Sequence, residues 1–162
     1  MDDKIEIKPV IIKEHFDEVA AMMHQLHIHE HSLFDKTEAW SEIQESYMRH
    51  VIHTQETCEG SCLVAYVNDK PSGFIFGYIE EQDDSRIEIY KGKELYVSDG
   101  YVAKEYRGLG VYRKLNNELE RIYTEKGVRR ICRYTLINNT SARQFLERQG
   151  YMVTRLLYEK WL

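Results

Sequence analysis

Glu94-Leu95-Tyr96-Val97-Ser98-Asp99-Gly100-Tyr101-Val102, then Tyr106-Arg107-Gly108-Leu109-Gly110, then an amphipathic run from about Val111 to Lys126, is the stretch that decides how this chain is read. The first segment is rich in β-branched and aromatic residues, which predicts a strand. The second carries two glycines, which let a backbone turn sharply and come close to a ligand. In the third, Tyr112, Leu115, Leu119, Ile122 and Tyr123 recur at helical spacing, and Gly127 ends the run. A helix that opens directly after such a turn leaves its first N–H groups unpaired and presents the positive end of its dipole. Strand, glycine turn and helix start together predict an anion site, most often for phosphate, with Arg107 adding charge.

The spacing excludes two common phosphate motifs. No Gly-Lys-Ser/Thr follows as in a P-loop, and the three glycines of a dinucleotide fingerprint are missing. Val102-Ala103-Lys104-Glu105-Tyr106-Arg107-Gly108-Leu109-Gly110 instead resembles the acetyl-CoA segment of the GCN5-related N-acetyltransferases, roughly V-x-P-x-Y-R-G-x-G-x-G/A. A second block, Asn139-Thr140-Ser141-Ala142-Arg143-Gln144-Phe145-Leu146-Glu147-Arg148-Gln149-Gly150-Tyr151, is similar to that family's N-x-x-A-x-x-F-Y-x-x-x-G-F/Y segment. Three positions depart from the pattern. Lys104 stands for proline, Tyr112 for the last small residue of the turn, and Leu146 for a tyrosine that acts as general acid in many members.

The resemblance implies an acyl-CoA N-acyltransferase fold: α/β, with a mixed central sheet flanked by helices and two strands splayed at the cofactor site. It implies acetyl-CoA as co-substrate, with pantetheine paired to main chain at Tyr101, Val102 and Ala103. The pyrophosphate would then lie on the amides of Arg107, Gly108, Leu109, Gly110, Val111 and Tyr112. Asn139 would cap the following helix and could also meet the pantetheine arm. The reaction implied is acyl transfer to a primary amine, which needs a base to take a proton. Asp99 is the first choice for that base and Glu94 the second, although Asp99 could equally be a satisfied polar group at a bulge with Gly100. Because a thiol ionises near pH ~8.5, its thiolate leaves with little acid assistance, so Leu146 does not forbid the reaction. A non-catalytic CoA-binding sensor is the competing reading.

Composition sets outer limits. A chain of 162 residues with 43% hydrophobic and 30% charged residues fits one globular domain, spanning residues 1–162. No run approaches a transmembrane span and Met1-Asp2-Asp3-Lys4 does not open a signal peptide, so a cytoplasmic protein without a membrane partner is expected. Net charge of −5 disfavours nucleic acid, and the cluster Arg129, Arg130 and Arg133 reads as a strand face. Cys58, Cys62 and Cys132 read as reduced thiols.

His24, His27 and His31 share one helical face but lack partner ligands, so no metal is expected. The acidic run Glu80, Glu81, Asp83 and Asp84 would draw a cation if it overhung the cleft. A small cationic amine is therefore the expected acceptor, a protein or peptide amine is the alternative, and a homodimer is left open.

Beyond the motifs, alternation predicts strands over 5–12, 62–67, 72–79, 88–102, 130–137 and 151–161. Helical spacing predicts helices from Phe16 towards His31, from Ala39 to Ile52, and from Asn139 to Gly150. Asn68-Asp69-Lys70-Pro71 is a turn signal between two of the strands.

Overall fold

A computed structural model describes residues 4–81, 85, 87–90 and 92–162. Its elements are β1 (Ile5–Val10), α1 (Phe16–Leu33), α2 (Trp40–Thr57), β2 (Ser61–Val67), β3 (Lys70–Glu80), β4 (Glu94–Val102), α3 (Val111–Glu125), β5 (Ile131–Cys132) and α4 (Thr140–Arg148). A single 3-10 turn, Lys104–Tyr106, separates β4 from the glycine turn. The sheet order is β1-β2-β3-β4-β5. The first four strands are antiparallel neighbours, and β5 joins β4 in parallel through the α3 crossover.

Both faces of the sheet are covered, which is why β2 reads as an almost unbroken apolar run. Successive side chains alternate between two cores. Cys62, Val64, Phe74 and Phe76 pack with Val19, Met23, Met48 and Val51 of α1 and α2. Leu63, Ala65, Ile75, Leu95 and Val97 pack with Leu115, Leu119 and Tyr123 of α3. The turn between β2 and β3 holds Asn68 and Asp69 at φ 49° and 65°, the left-handed values a tight hairpin requires. Both residue types tolerate that region because their short side chains bond locally.

Three expectations need correction. The strand expected over 88–102 begins only at Glu94, because β3 ends at Glu80, the ladder partner of Glu94. The strand expected over 130–137 is reduced to Ile131–Cys132, paired with Leu95 and Tyr96. Beyond that pair no ladder register joins the chain after Cys132 to β4, so residues 98–102 have a ladder partner, among the described residues, only in β3. The strand expected over 151–161 forms no ladder among the described residues, since a two-residue β5 offers too short an edge to pair with it. That last segment is tied instead by Tyr151 to Glu120, by Arg155 to Glu88, and by Lys36 over the Trp161 ring. Its Met152, Val153, Leu156, Leu157, Tyr158 and Trp161 remain exposed. No helix among the described residues is long and apolar enough to cross a membrane.

Candidate active site

The gap beside residues 98–102 opens into a cavity of about 250 Å³. One wall is β4 from Val97 to Val102, one is Glu30 and its neighbours on α1, and one is Arg133 to Thr135 with the start of α4. Tyr101, Val102, Arg107, Tyr112 and Asn139, all expected to hold the cofactor, line it. Ala103 is not among the residues lining it, and its N–H is taken by the Ser72 carbonyl at 2.9 Å.

The glycine turn runs from Arg107 to Gly110 and delivers the chain into α3 at Val111. Gly108 and Gly110 sit at φ 82° and 79°. A methyl added at Gly108 would meet nothing within 4 Å, so conformation rather than crowding demands glycine there and the main chain stays open to an approaching group. Leu109 is exposed between them. Gly110 is the residue before the first helical position of a 15-residue helix, so the orphan N–H groups of α3 point out of this turn. Arg107 fastens the turn to the strand by donating from Nε to the Val102 carbonyl at 3.0 Å, and its guanidinium sits 5.9 Å from the Tyr101 ring.

Asp99 owes its position to a break in register. Phe76 faces Asp99 but Gly77 faces Val97, so Ser98 is an extra residue on β4. The bulge therefore lies at Ser98 and not at Gly100. Asp99 faces the α1–α2 side opposite Phe76, and Gly100 faces the α3 side opposite Ile75. Tyr47 of α2 donates its hydroxyl proton to Asp99 Oδ1, and Ser98 Oγ donates to Oδ2 at 2.6 Å. Burial raises the Asp99 carboxyl above the ordinary carboxylate range, against the lowering effect of those two hydrogen bonds and of His50. Half-buried yet opening on the cavity, it is a carboxylate displaced towards neutral pH, as a general base requires. Tyr47 is held protonated by its burial and by the facing Asp99.

Glu94, the second candidate, does not line the cavity. It is 2% exposed, and its Oε2 lies 3.0 Å from Arg130 Nη1. An ion pair of that kind holds the carboxylate in place at the start of β4, away from the cavity. Arg130 thus leaves the basic cluster, and Arg133 leaves it too by entering the cavity wall.

Glu30 and His29 of α1 reach the same cavity. Glu30 is raised chiefly by burial and then by Asp99, so two carboxyls resist ionising together. His29 is lowered, by burial first and by Arg107 second. The other histidines of the cluster are structural: His24 stacks on Trp40 at 5.3 Å, His27 bonds the Glu38 carbonyl and His31 bonds Thr37. Among the described residues no three His, Cys, Asp or Glu side chains come together as a metal site would need. Asp83 and Asp84 of the acidic run lie outside the described residues.

Asn139 caps α4 by accepting from the Ala142 N–H at 3.3 Å. Leu146 lines the cavity where a proton-donating side chain was looked for. Tyr47, Glu30 and Ser98 were not found by reading the sequence. Tyr47 lay on the apolar stripe of α2, where nothing distinguishes a packing ring from one whose hydroxyl reaches a carboxylate.

The Acetyltransferase (GNAT) family pattern matches residues 21–151, and so takes in most of α1, all the residues lining the cavity and α4. The chain belongs to this family. It is 32% identical over 99 residues to N-alpha-acetyltransferase 30 of Schizosaccharomyces pombe, a match covering 61% of this chain and 62% of that protein. A GCN5-related N-acetyltransferase from Ralstonia eutropha JMP134 superposes with a TM-score of 0.76 at 16% identity, over 98% of this chain and 99% of that one. The aminoglycoside N-acetyltransferase AAC(6')-Iy, in complex with CoA, superposes with a TM-score of 0.71 at 15% identity, over 99% of this chain and 97% of that one. At such identities these two structures establish the fold. It is the mixed sheet flanked by helices expected from the motifs.

Proposed function

We propose that this protein is an acetyl-CoA-dependent N-acetyltransferase acting on a primary amine. The observation that carries the reading is that one cavity joins the open edge of β4, Arg107 and Tyr112 to the buried carboxyl of Asp99. The open glycine turn and the helix start behind it fit a pyrophosphate, and the edge from Gly100 to Val102, which no strand among the described residues pairs on its β5 side, fits an amide-bearing arm. Bound acetyl-CoA supplies the activated acyl group. Asp99 takes the proton from the attacking amine, Tyr47 and Ser98 hold its carboxylate in place, and Glu94 with Arg130 anchors the start of β4.

A small cationic amine is the favoured acceptor, because Glu30 and Asp99 present two carboxyls to one cavity. A peptide α-amine is the second reading, favoured by the identity shared with an N-alpha-acetyltransferase. Calorimetric titration with acetyl-CoA, followed by thiol release across polyamines, aminoglycosides and short peptides at low and high salt, tests both. Absence of acetyl-CoA binding overturns the enzyme reading, and binding without turnover favours a sensor. Preference for peptides, or a salt-independent Michaelis constant for the best amine, selects the peptide acceptor. The exposed apolar run after Tyr151 supports a homodimer, since each copy carries the same uncovered segment and a two-fold axis lets both be covered at once.

A further inference from the structure

The Tyr112 side chain, in the wall opposite Asp99, has no chemical step in the reading above. Gly100, next to Asp99 in the chain, faces the other side of the sheet, and Tyr112 of α3 fills the space there. A methyl built onto Gly100 would lie 2.5 Å from the Tyr112 hydroxyl. The ring is fixed edge-on against Phe145 of α4, with centroids 5.0 Å apart. Arg133 donates to the Tyr112 hydroxyl from Nη1 at 3.3 Å, and its own Nη2 is held by Oδ1 of the fully buried Asn116 at 2.9 Å. The Tyr151 ring backs the guanidinium at 5.1 Å.

A guanidinium can only donate, so the Tyr112 oxygen accepts there and its own proton must be directed elsewhere. Among the described residues no acceptor takes that proton. Arg133 Nε is likewise buried without a hydrogen-bond partner. The gap between β4 and the chain after β5 is thus bordered by a carboxylate on one face of the sheet and by a cation-backed phenol on the other. Leu146 supplies no proton donor from α4.

We propose that the Tyr112 hydroxyl, oriented by Arg133, protonates the thiolate of coenzyme A as it departs. The inference rests on the acetyl-transfer reading. The neutral amine nitrogen bonds to the acyl carbon and gives a proton to Asp99. The carbon–sulfur bond breaks with its electron pair left on sulfur, which takes the proton from Tyr112. The phenolate recovers a proton from water, and Asp99 releases its own to water, so the products are the amide and the free thiol. Arg133 steadies the transient phenolate by charge.

The test compares Tyr112→Phe with the parent, using acetyl-CoA and its selenoester analogue as donors under single-turnover conditions. A selenol is a stronger acid than a thiol, so its anion departs without a proton. With acetyl-CoA the variant should be slower by about tenfold, less than the roughly hundredfold or more of a typical positioned acid because a thiolate departs with little help, while with the selenoester the two proteins should converge. A binding measurement stands beside it: the parent should bind coenzyme A more tightly than desulfo-coenzyme A by calorimetry, and Tyr112→Phe should lose that preference. Replacing Tyr112 with 3-fluorotyrosine keeps the ring and acidifies the phenol, and should move the basic limb of the rate profile to lower pH. Equal losses with both donors, or no loss with acetyl-CoA, would overturn the proposal while leaving acetyl transfer intact. A parent protein that does not turn over any acceptor would instead remove the reading on which it rests.

Discussion

Tyr47→Phe isolates the contribution of one hydroxyl to the proposed base. The phenol ring packs edge-on against Trp40 at 5.8 Å, and phenylalanine keeps that contact. What is lost is the bond to Asp99, which stabilises the ionised carboxylate. A hydrogen bond to a charged group contributes about 1.5–3 kcal/mol, and a tenfold change in acidity corresponds to about 1.4 kcal/mol. Removing it should therefore raise the Asp99 pKa by about 1–2 units, adding to the elevation that burial already imposes. Because the base works only when ionised, the acid limb of kcat/KM should move up in pH by the same amount. The alkaline plateau should be largely retained. Thiol release measured across pH with the best amine reads the limb, and carbon NMR of labelled aspartate reads the carboxyl with no acceptor present. If neither moves, Asp99 is not the group that controls the rate, and the hydrogen bond is merely structural.

Asp99→Asn should abolish pH-dependent transfer yet raise the melting temperature. A raised folded-state pKa stabilises the fold below the unfolded value near ~4, and this is lost as pH rises through the folded value. The gain should therefore appear at neutral and alkaline pH and vanish in acid, and melting scans across pH that showed a constant offset would refute it. Gly108→Val should strain a backbone held at φ 82° by about 1–3 kcal/mol and weaken acetyl-CoA binding, whereas Gly127→Val, at φ 84° beyond the far end of α3, should show similar strain with unchanged affinity by calorimetry. Leu119→Ala, at a fully buried α3 position, should lower unfolding free energy by about 2–5 kcal/mol in urea titrations. Deleting 152–162 should turn a dimer into a monomer by light scattering; a parent that is already monomeric would remove the dimer.

The motifs made the β4–turn–α3 unit legible because glycine spacing and helical periodicity are local signals. Asn139 was legible for the same reason. Residues 130–137 and 151–161 misled because alternation reports propensity, whereas a strand exists only where a neighbouring edge is in register to bond it. Tyr47 and Glu30 were hidden because their partner, Asp99, lies 52 and 69 positions away in the chain, and no spacing rule connects them. Asp99 and Glu94 are two acids on one strand, ranked first and second from the sequence. Their difference is made by Arg130, which meets one of them, and by Ser98, which re-aims the other.

That one additional residue acts as a parity switch in β4. Ahead of it, odd-numbered positions such as Leu95 and Val97 serve the α3 core; after it, even-numbered Gly100 and Val102 do. Excising Ser98 would restore an unbroken alternation with Val97 still opposite Gly77 and Asp99 still opposite Phe76, so neither half of the strand would have to turn. Were Ser98 instead drawn into the ladder opposite Phe76, Asp99 would fall opposite Ile75 on the α3 side, away from Tyr47, while the glycine turn kept its sequence. Capture of the donor and removal of the proton are thus separable by a one-residue shift of register, with no change of residue type in either.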